Sequence, residues 1–201
     1  MNILITGGAG FIGSHILQRF NRENCQITVL DNLHSGNKAN IPKGVNFIEM
    51  DICDKRIIDV FERNKFEAVV HLAAQTMVNA SIDDPIYDSD NNIRGTINIL
   101  EACRKTGVRR IIFSSTAAVY GDVNEVPVLE DFTTDPLSFY GLSKLTVEKY
   151  LKLYQKLYGL EYVILRYANV YGERQGDGGE GGVISIFMKL LAQNKALTIH
   201  G

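Results

Sequence analysis

The stretch NILITGGAGFIGSHIL, residues 2–17, decides the fold. Residues 2–6 are a short apolar, β-rich run that stops at a cluster of glycines. From Phe11 to Arg22 the apolar positions Ile12, Ile16, Leu17 and Phe20 recur at the spacing of a one-sided helix. Between strand and helix stand Gly7, Gly8, Gly10 and Gly13. Glycines at such a turn let the chain bend sharply and let its backbone approach a pyrophosphate. The helix then starts with free N–H groups and the positive end of its dipole, which favour an anion. A glycine turn alone is common. With a strand before it and a helix after it, it has the context that dinucleotide binding requires; the competing reading is a purely structural turn.

The rest of the chain alternates in the same way. Further strands are expected at 26–31, 45–51, 66–74, 108–115 and 160–170, and helices at 55–64, 88–107 and 140–159. Gly107 and Gly159 close the last two helices, where a left-handed residue is preferred. The strands are continuous apolar runs, as strands covered on both faces are. The expected class is therefore α/β, a doubly wound parallel Rossmann sheet with helices on both faces. GERQGDGGEGG, 172–182, reads as a mobile loop, with a disordered linker as the alternative. A helix is expected at 183–193, and a further strand starts at 196–201.

Composition narrows the function. Of 201 residues, 45% are hydrophobic and 22% charged, an ordinary globular balance. A formal net charge of -2 gives no electrostatic footprint for nucleic acid or an anionic membrane. No apolar run is long enough to span a bilayer, and the N-terminus lacks the basic region of a signal peptide. Cys25, Cys53 and Cys103 are far apart and form no metal-ligand spacing. They read as reduced thiols in a cytoplasmic protein without a bound metal.

Asp31 ends the second strand, 18 residues beyond Gly13. An acid there accepts hydrogen bonds from an adenosine ribose and repels a 2′-phosphate, which favours NAD over NADP; the alternative is an ordinary turn aspartate before Asn32. Asp51 ends the third strand within reach of an adenine edge, in competition with a helix N-cap for the segment starting near Asp54. Tyr140 and Lys144, four residues apart, lie on one face of a helix. A free tyrosine, with a pKa of about 10, is a poor base at neutral pH. A nearby ammonium favours the phenolate, as does a cationic nicotinamide ring. Such a tyrosine takes a proton from a hydroxyl while hydride leaves. A Tyr-x-x-x-Lys pair also arises by chance; the glycine turn and the hydroxyls Ser114, Ser115 and Thr116 give this one its context.

TGGAGFIG (6–13), DNL (31–33), HLAAQ (71–75), SST (114–116) and YGLSK (140–144), in this order, resemble the extended short-chain dehydrogenase/reductase family. Within it the chain is most similar to the NAD-dependent nucleotide-sugar 4-epimerases of the UDP-glucose type. The resemblance implies Tyr140 as catalytic base, Lys144 as the residue that holds the nicotinamide ribose and lowers the tyrosine pKa, and Thr116 as the hydroxyl between substrate O4 and Tyr140. It implies NAD contacts from Gly7, Gly10, Phe11, Ile12 and Gly13 at the turn, and from Asp31, Asn32, Asp51 and Ile52 beside it. It adds Leu72, Ala73, Ala74, Asn91, Ser114 and Tyr167 to these. Substrate contacts are implied for Asn169, Gly182 and Val183, besides Thr116 and Tyr140.

The family's 4,6-dehydratases carry an acidic pair directly after the catalytic threonine. Here those positions are Ala117 and Ala118, and a methyl group carries no proton. The chemistry expected is a reversible oxidation at C4 of a UDP-sugar, with a uronate epimerase, a reductase or an NAD-binding module without turnover as alternatives. Thr76 stands where one branch of related epimerases has a lysine. His71 is expected to be structural, His15 a surface or supporting residue, and Tyr120 and Gly121 scaffold. Leu142, Leu145, Val147, Leu151, Tyr154 and Leu157 wrap beyond one core-facing arc of their helix. This suggests a homodimer through helices 88–107 and 140–159, which family members form as a four-helix bundle. Residues 1–170 are expected to form the NAD-binding domain and 171–201 the incomplete start of a substrate-binding lobe, because family members run on well past this length.

Overall fold

The computed structural model describes residues 1–23, 25–123, 125–176 and 182–198. β1 (Asn2–Thr6) sends Ile3 and Ile5 to one face of the sheet and Leu4 to the other, and all three are buried. β2 (Gln26–Asp31), β3 (Asn46–Glu49), β4 (Ala68–His71), β5 (Arg110–Thr116) and β6 (Glu161–Tyr167) complete one sheet in the order β3-β2-β1-β4-β5-β6, every pairing parallel. This is the doubly wound order, whose switch point lies between β1 and β4. In the register Thr6 stands opposite Leu30 and His71, and Thr116 opposite Tyr167. The C-terminal ends of these strands therefore share one edge.

Both sheet faces are covered. On one, Leu4, Val69, Ile111 and Phe113 pack with Phe61 of α2 (Ile57–Asn64), Leu100 of α5 (Gly95–Thr106) and Leu151 of α6 (Phe139–Tyr158). On the other, Ile3, Ile5, Ile27, Val29 and Val70 pack with Leu17 of α1 (Phe11–Phe20). Fully burying one such aliphatic side chain is worth about 1.5–3 kcal/mol, so these two layers hold the sheet in place.

The elements differ from expectation mainly at their ends. The helix expected at 88–107 begins earlier, as α4 (Pro85–Ser89), with Pro85 at its start and the Asp84 carboxylate accepting from the Tyr87 N–H at 2.9 Å. It runs through a π-helical turn, Asp90–Arg94, into α5, and ends at Gly107 with φ +75°. α6 is capped by Ser138, whose Oγ accepts from the Gly141 N–H at 3.0 Å. A short helix, α3 (Val78–Asp83), was not expected: its one buried side chain is Ser81, so no apolar period marks it. The strand expected from 66 to 74 stops at His71, and the one to 170 stops at Tyr167. Residues 196–198 form no strand, and 199–201 lie outside the described residues, as do 177–181 of the glycine-rich loop.

Of the six apolar α6 residues read as an excess, Leu145, Val147, Leu151 and Tyr154 are buried within the chain itself, and only Leu142 and Leu157 are exposed. The wide apolar arc exists because α6 packs against both the sheet and neighbouring helices. α7 (Val183–Ala192) buries none of its side chains. The three cysteines are free. Among the described residues no helix is long and apolar enough to cross a membrane.

Candidate active site

A cleft of about 790 Å³ opens at the shared strand edge. The glycine turn forms one wall, and its glycines do different work. Gly7 has φ +69°, and a Cβ on it would lie 2.7 Å from the Ala73 nitrogen. A Cβ on Gly13 would lie 2.7 Å from Gly8 Cα, so α1 must pack against bare backbone. Gly10 is more open; the one neighbour of an added Cβ is the Gly7 carbonyl oxygen, at 3.3 Å. It is the N-cap of α1 and supplies no side-chain cap, and Phe11, Ile12 and Gly13 line the cleft behind it. The first N–H groups of α1 are thus left for a ligand, and an anionic pyrophosphate fits them.

Asp31 is buried in the adjacent wall. Its Oδ2 accepts from the Ala9 N–H at 2.9 Å and its Oδ1 from the Leu33 N–H at 2.8 Å. An ionised carboxylate accepts about four hydrogen bonds, so capacity remains for ribose hydroxyls. Gly36 closes over it: a Cβ there would meet Ala9 Cβ at 2.9 Å and Asp31 Oδ1 at 3.0 Å. Asn32 and Ile52 line the cleft, but Asp51 does not. Asp51 instead accepts from Asn32 Nδ2 at 2.9 Å and from the Cys53 N–H at 2.7 Å. Burial pushes its pKa up, and these hydrogen bonds outweigh that and leave it lowered. It is not the N-cap of α2 either, since α2 starts at Ile57. It closes the turn to Asp54 and braces Asn32 from behind.

Leu72, Ala73, Ala74 and Asn91 form the floor. The N–H groups of Leu72 and Ala73 both donate to Thr6 Oγ1 at 3.2 Å. Thr6 Oγ1 lies 2.7 Å from His71 Nδ1, and His71 Nε2 lies 2.9 Å from Thr96 Oγ1, which donates to the Asn92 carbonyl at 2.6 Å. The single Thr96 proton is spent on Asn92, so His71 must donate from Nε2 and accept at Nδ1. His71 is a neutral, buried brace. Burial first, and the charge of Lys144 second, push its pKa down to about 3.

Tyr140, Lys144 and Thr116 meet in this cleft. The Tyr140 N–H donates to Ser81 Oγ at 3.1 Å. Lys144 is buried, and its Nζ donates to the Ser114 carbonyl at 3.0 Å and sits 5.8 Å from the Tyr140 ring centre. Burial lowers the Lys144 pKa to about 8 against the opposing pull of Asp88, so the ammonium persists at neutral pH. Thr116 Oγ1 accepts from the Ala118 N–H at 3.1 Å, which leaves its own proton to donate. Ala117 and Ala118 line the cleft with methyl groups. A Cβ on Gly141 would lie 2.7 Å from the Ala118 oxygen; this glycine lets the start of α6 seat against that turn. Ser114 and Tyr167 complete the wall, and burial raises the Tyr167 pKa.

Beneath these groups the chain carries an ion pair that sequence reading missed. Arg166 donates from Nε and Nη2 to the two oxygens of buried Glu148 at 2.9 and 2.7 Å, and Ser115 Oγ adds a bond to Glu148 at 2.6 Å. Arg166 Nη1 also donates to Tyr120 Oη at 2.7 Å, so Tyr120 is scaffold. The available signal was Glu148's position one turn beyond Lys144. On the far side of the cleft stand Thr76, Met77, Val78, Asn79, Asn169 and Gly182. Val183 is not in the lining; it opens α7 and is exposed. His34, Ser35 and Met50 also line the cleft and were not expected to. His15 ties residues 173–174 to α1, donating from Nε2 to the Glu173 carbonyl at 2.9 Å and accepting from Arg174 at 2.8 Å.

A doubly wound sheet with a tyrosine–lysine pair beside a glycine turn defines the extended short-chain dehydrogenase/reductase class. The chain belongs to the NAD dependent epimerase/dehydratase family, which matches residues 3–201. It is similar to a Methanocaldococcus jannaschii protein provisionally assigned as UDP-glucose 4-epimerase, 50% identical over 200 residues that cover 99% of this chain and 66% of that one. Among solved structures, the Thermus thermophilus UDP-glucose 4-epimerase complex with NAD is 43% identical with a TM-score of 0.95, covering 99% of this chain and 65% of that one. The Thermotoga maritima UDP-glucose 4-epimerase with UDP-glucose is 42% identical with a TM-score of 0.97, covering 100% and 66%. The chain thus spans about two thirds of the length of these relatives.

Proposed function

We propose that this protein is an NAD-dependent nucleotide-sugar 4-epimerase acting on UDP-glucose and UDP-galactose or a close analogue. The observation that carries the reading is the meeting of Thr116, Tyr140 and Lys144 with the uncapped start of α1 in one cleft. Gly10, Phe11, Ile12 and Gly13 would hold the pyrophosphate of NAD, Asp31 its adenosine ribose, and Lys144 its nicotinamide ribose. Bound NAD supplies a hydride acceptor and donor. Lys144 biases Tyr140 toward the phenolate. Tyr140 then takes the O4 proton, directly or through Thr116, and gives one back after the keto sugar has turned over. Ala117 and Ala118 offer no acid for loss of water, which disfavours a dehydratase. Asn169, Gly182 and Val183 are the proposed substrate contacts, with residues 1–170 as the NAD domain and 171–201 as the start of the substrate lobe. A cytoplasmic homodimer through α5 and α6 belongs to the same reading, supported by the exposed Leu142, Leu153 and Leu157 of α6.

The test is proton NMR of the anomeric signals of UDP-glucose and UDP-galactose, incubated with the protein in its full natural length. Interconversion is expected, and Tyr140→Phe should slow it by roughly 100-fold or more while NAD stays bound. Full activity in Tyr140→Phe removes the assignment. NAD binding without turnover of glucose, N-acetyl or uronate forms favours the binding module.

A further inference from the structure

Asp88 is a buried carboxylate to which the proposed chemistry gives no task. It lies on α4, under the π-helical turn. Its Oδ1 accepts from Gln75 Nε2 and from Asn92 Nδ2, both at 3.0 Å. Asn92 also donates to the Gln75 carbonyl at 3.0 Å and to Ser143 Oγ at 3.1 Å, and accepts from the Gln75 N–H at 2.8 Å. Ser143 Oγ in turn donates to the Tyr140 carbonyl at 2.9 Å. One carboxylate therefore gathers three things. These are the segment leading to cleft residues Thr76–Asn79, the π-helical turn, and the turn of α6 that carries both Tyr140 and Lys144.

We propose that Asp88 is a positioning residue for the Tyr140–Lys144 pair: held by Gln75 and by Asn92, which also donates to Ser143, it balances the Lys144 ammonium and fixes the α6 turn between the two. This rests on the reading of Tyr140 as base and Lys144 as its cation. Burial raises the Asp88 pKa and the Lys144 charge opposes that, while Asp88 in turn supports the Lys144 ammonium against its own burial. The other groups facing Lys144 do not substitute. His71 on β4 is neutral, Phe113 on β5 is a ring, and Glu148 further along α6 is neutralised by Arg166 of β6. Removing the Asp88 charge makes Lys144 lose its proton more readily. That equilibrium moves to lower pH, whereas a merely structural defect lowers the rate without moving it.

The experiment compares pH–rate profiles of UDP-glucose to UDP-galactose conversion for the full-length NAD-loaded protein and Asp88→Asn, which keeps the shape and removes the charge. The alkaline limb, set by loss of the Lys144 proton, is expected to shift down by about 1 pH unit. An alkaline limb that stays put beneath a lower plateau overturns the proposal. Ser143→Ala keeps the charge and should lower the plateau without moving that limb; equal shifts in both variants overturn it too. Should Asp88→Asn not fold, the carbon-13 carboxyl resonance of Asp88 in the unaltered protein decides, because the proposal needs it ionised at pH 7 and a protonated acid refutes it. An inert Tyr140→Phe alongside an unmoved Asp88→Asn limb removes the Asp88 proposal alone, while an active Tyr140→Phe removes the reading beneath it.

Discussion

Single atoms decide the glycine turn. Gly13 and Gly10 sit three residues apart in one motif, yet an added methyl meets different things. At Gly13 it collides with backbone on several sides, and at Gly10 it meets the Gly7 carbonyl alone. Gly13→Ala should destabilise the fold by about 1–3 kcal/mol in urea unfolding. Gly10→Ala should leave the unfolding midpoint nearly unchanged and weaken NAD binding by roughly 10-fold in calorimetry, because its methyl stands at the mouth of the phosphate cradle. His71 makes a second prediction. Its native pKa of about 3 lies below the ordinary value near 6.5. Below pH 6.5 the unfolded chain takes up a proton that the native state refuses, so stability falls as pH falls, by about 1.4 kcal/mol per pH unit from this group. Unfolding free energies at pH 5.5 and 4.5, where the unfolded histidine is nearly fully protonated, should show that slope, and His71→Gln should have lost it. The turn, Asp31, Tyr140 and Lys144 were legible in the sequence because each belongs to a short local pattern. Asp88, Asn92 and Ser81 were not, since each acts through partners on other elements and leaves no period behind.

At the scale of elements, α6 is the organiser. Tyr140, Lys144 and Glu148 rise along one face at four-residue steps, and the last of them locks α6 to β5 through Ser115 and to β6 through Arg166. Glu148 is nearly fully buried and Arg166 largely so. Deleting one partner strands the other charge, so Glu148→Ala should cost about 3 kcal/mol in denaturant unfolding. The double change Glu148→Leu with Arg166→Met should recover most of that loss, because no unpaired charge remains. Strands and long helices were readable from their periods, as in the apolar runs of β1 and β4. α3 and the π-helical turn were not, because a buried serine and a side-chain network, not an apolar stripe, hold them. The apolar width of α6 was visible; four of its six residues fill the chain's own core, and Leu142 and Leu157 stay exposed.

Among the described residues, two exposed apolar groups bear on assembly. One is on α7, where Ile186, Met188 and Leu191 are exposed. The other is a stripe on α6 of Leu142, Leu153 and Leu157, spaced to share one face, with half-buried Ile93 and Ile97 on the neighbouring helical run. The proposed dimer uses the second. A two-fold interface presents each residue twice, so one substitution removes two apolar contacts and sets two like charges near the axis. At about 1.5 kcal/mol for each leucine uncovered, Leu153→Arg should weaken self-association by roughly 100-fold or more. It should leave the unfolding midpoint close to that of the parent, since Leu153 contributes little to the chain's own core. Ile186→Arg, on the other surface, should leave the dimer intact. Sedimentation velocity at micromolar protein measures both: a parent that already runs as a monomer, or an Ile186→Arg variant that dissociates while Leu153→Arg does not, would move the interface away from α6.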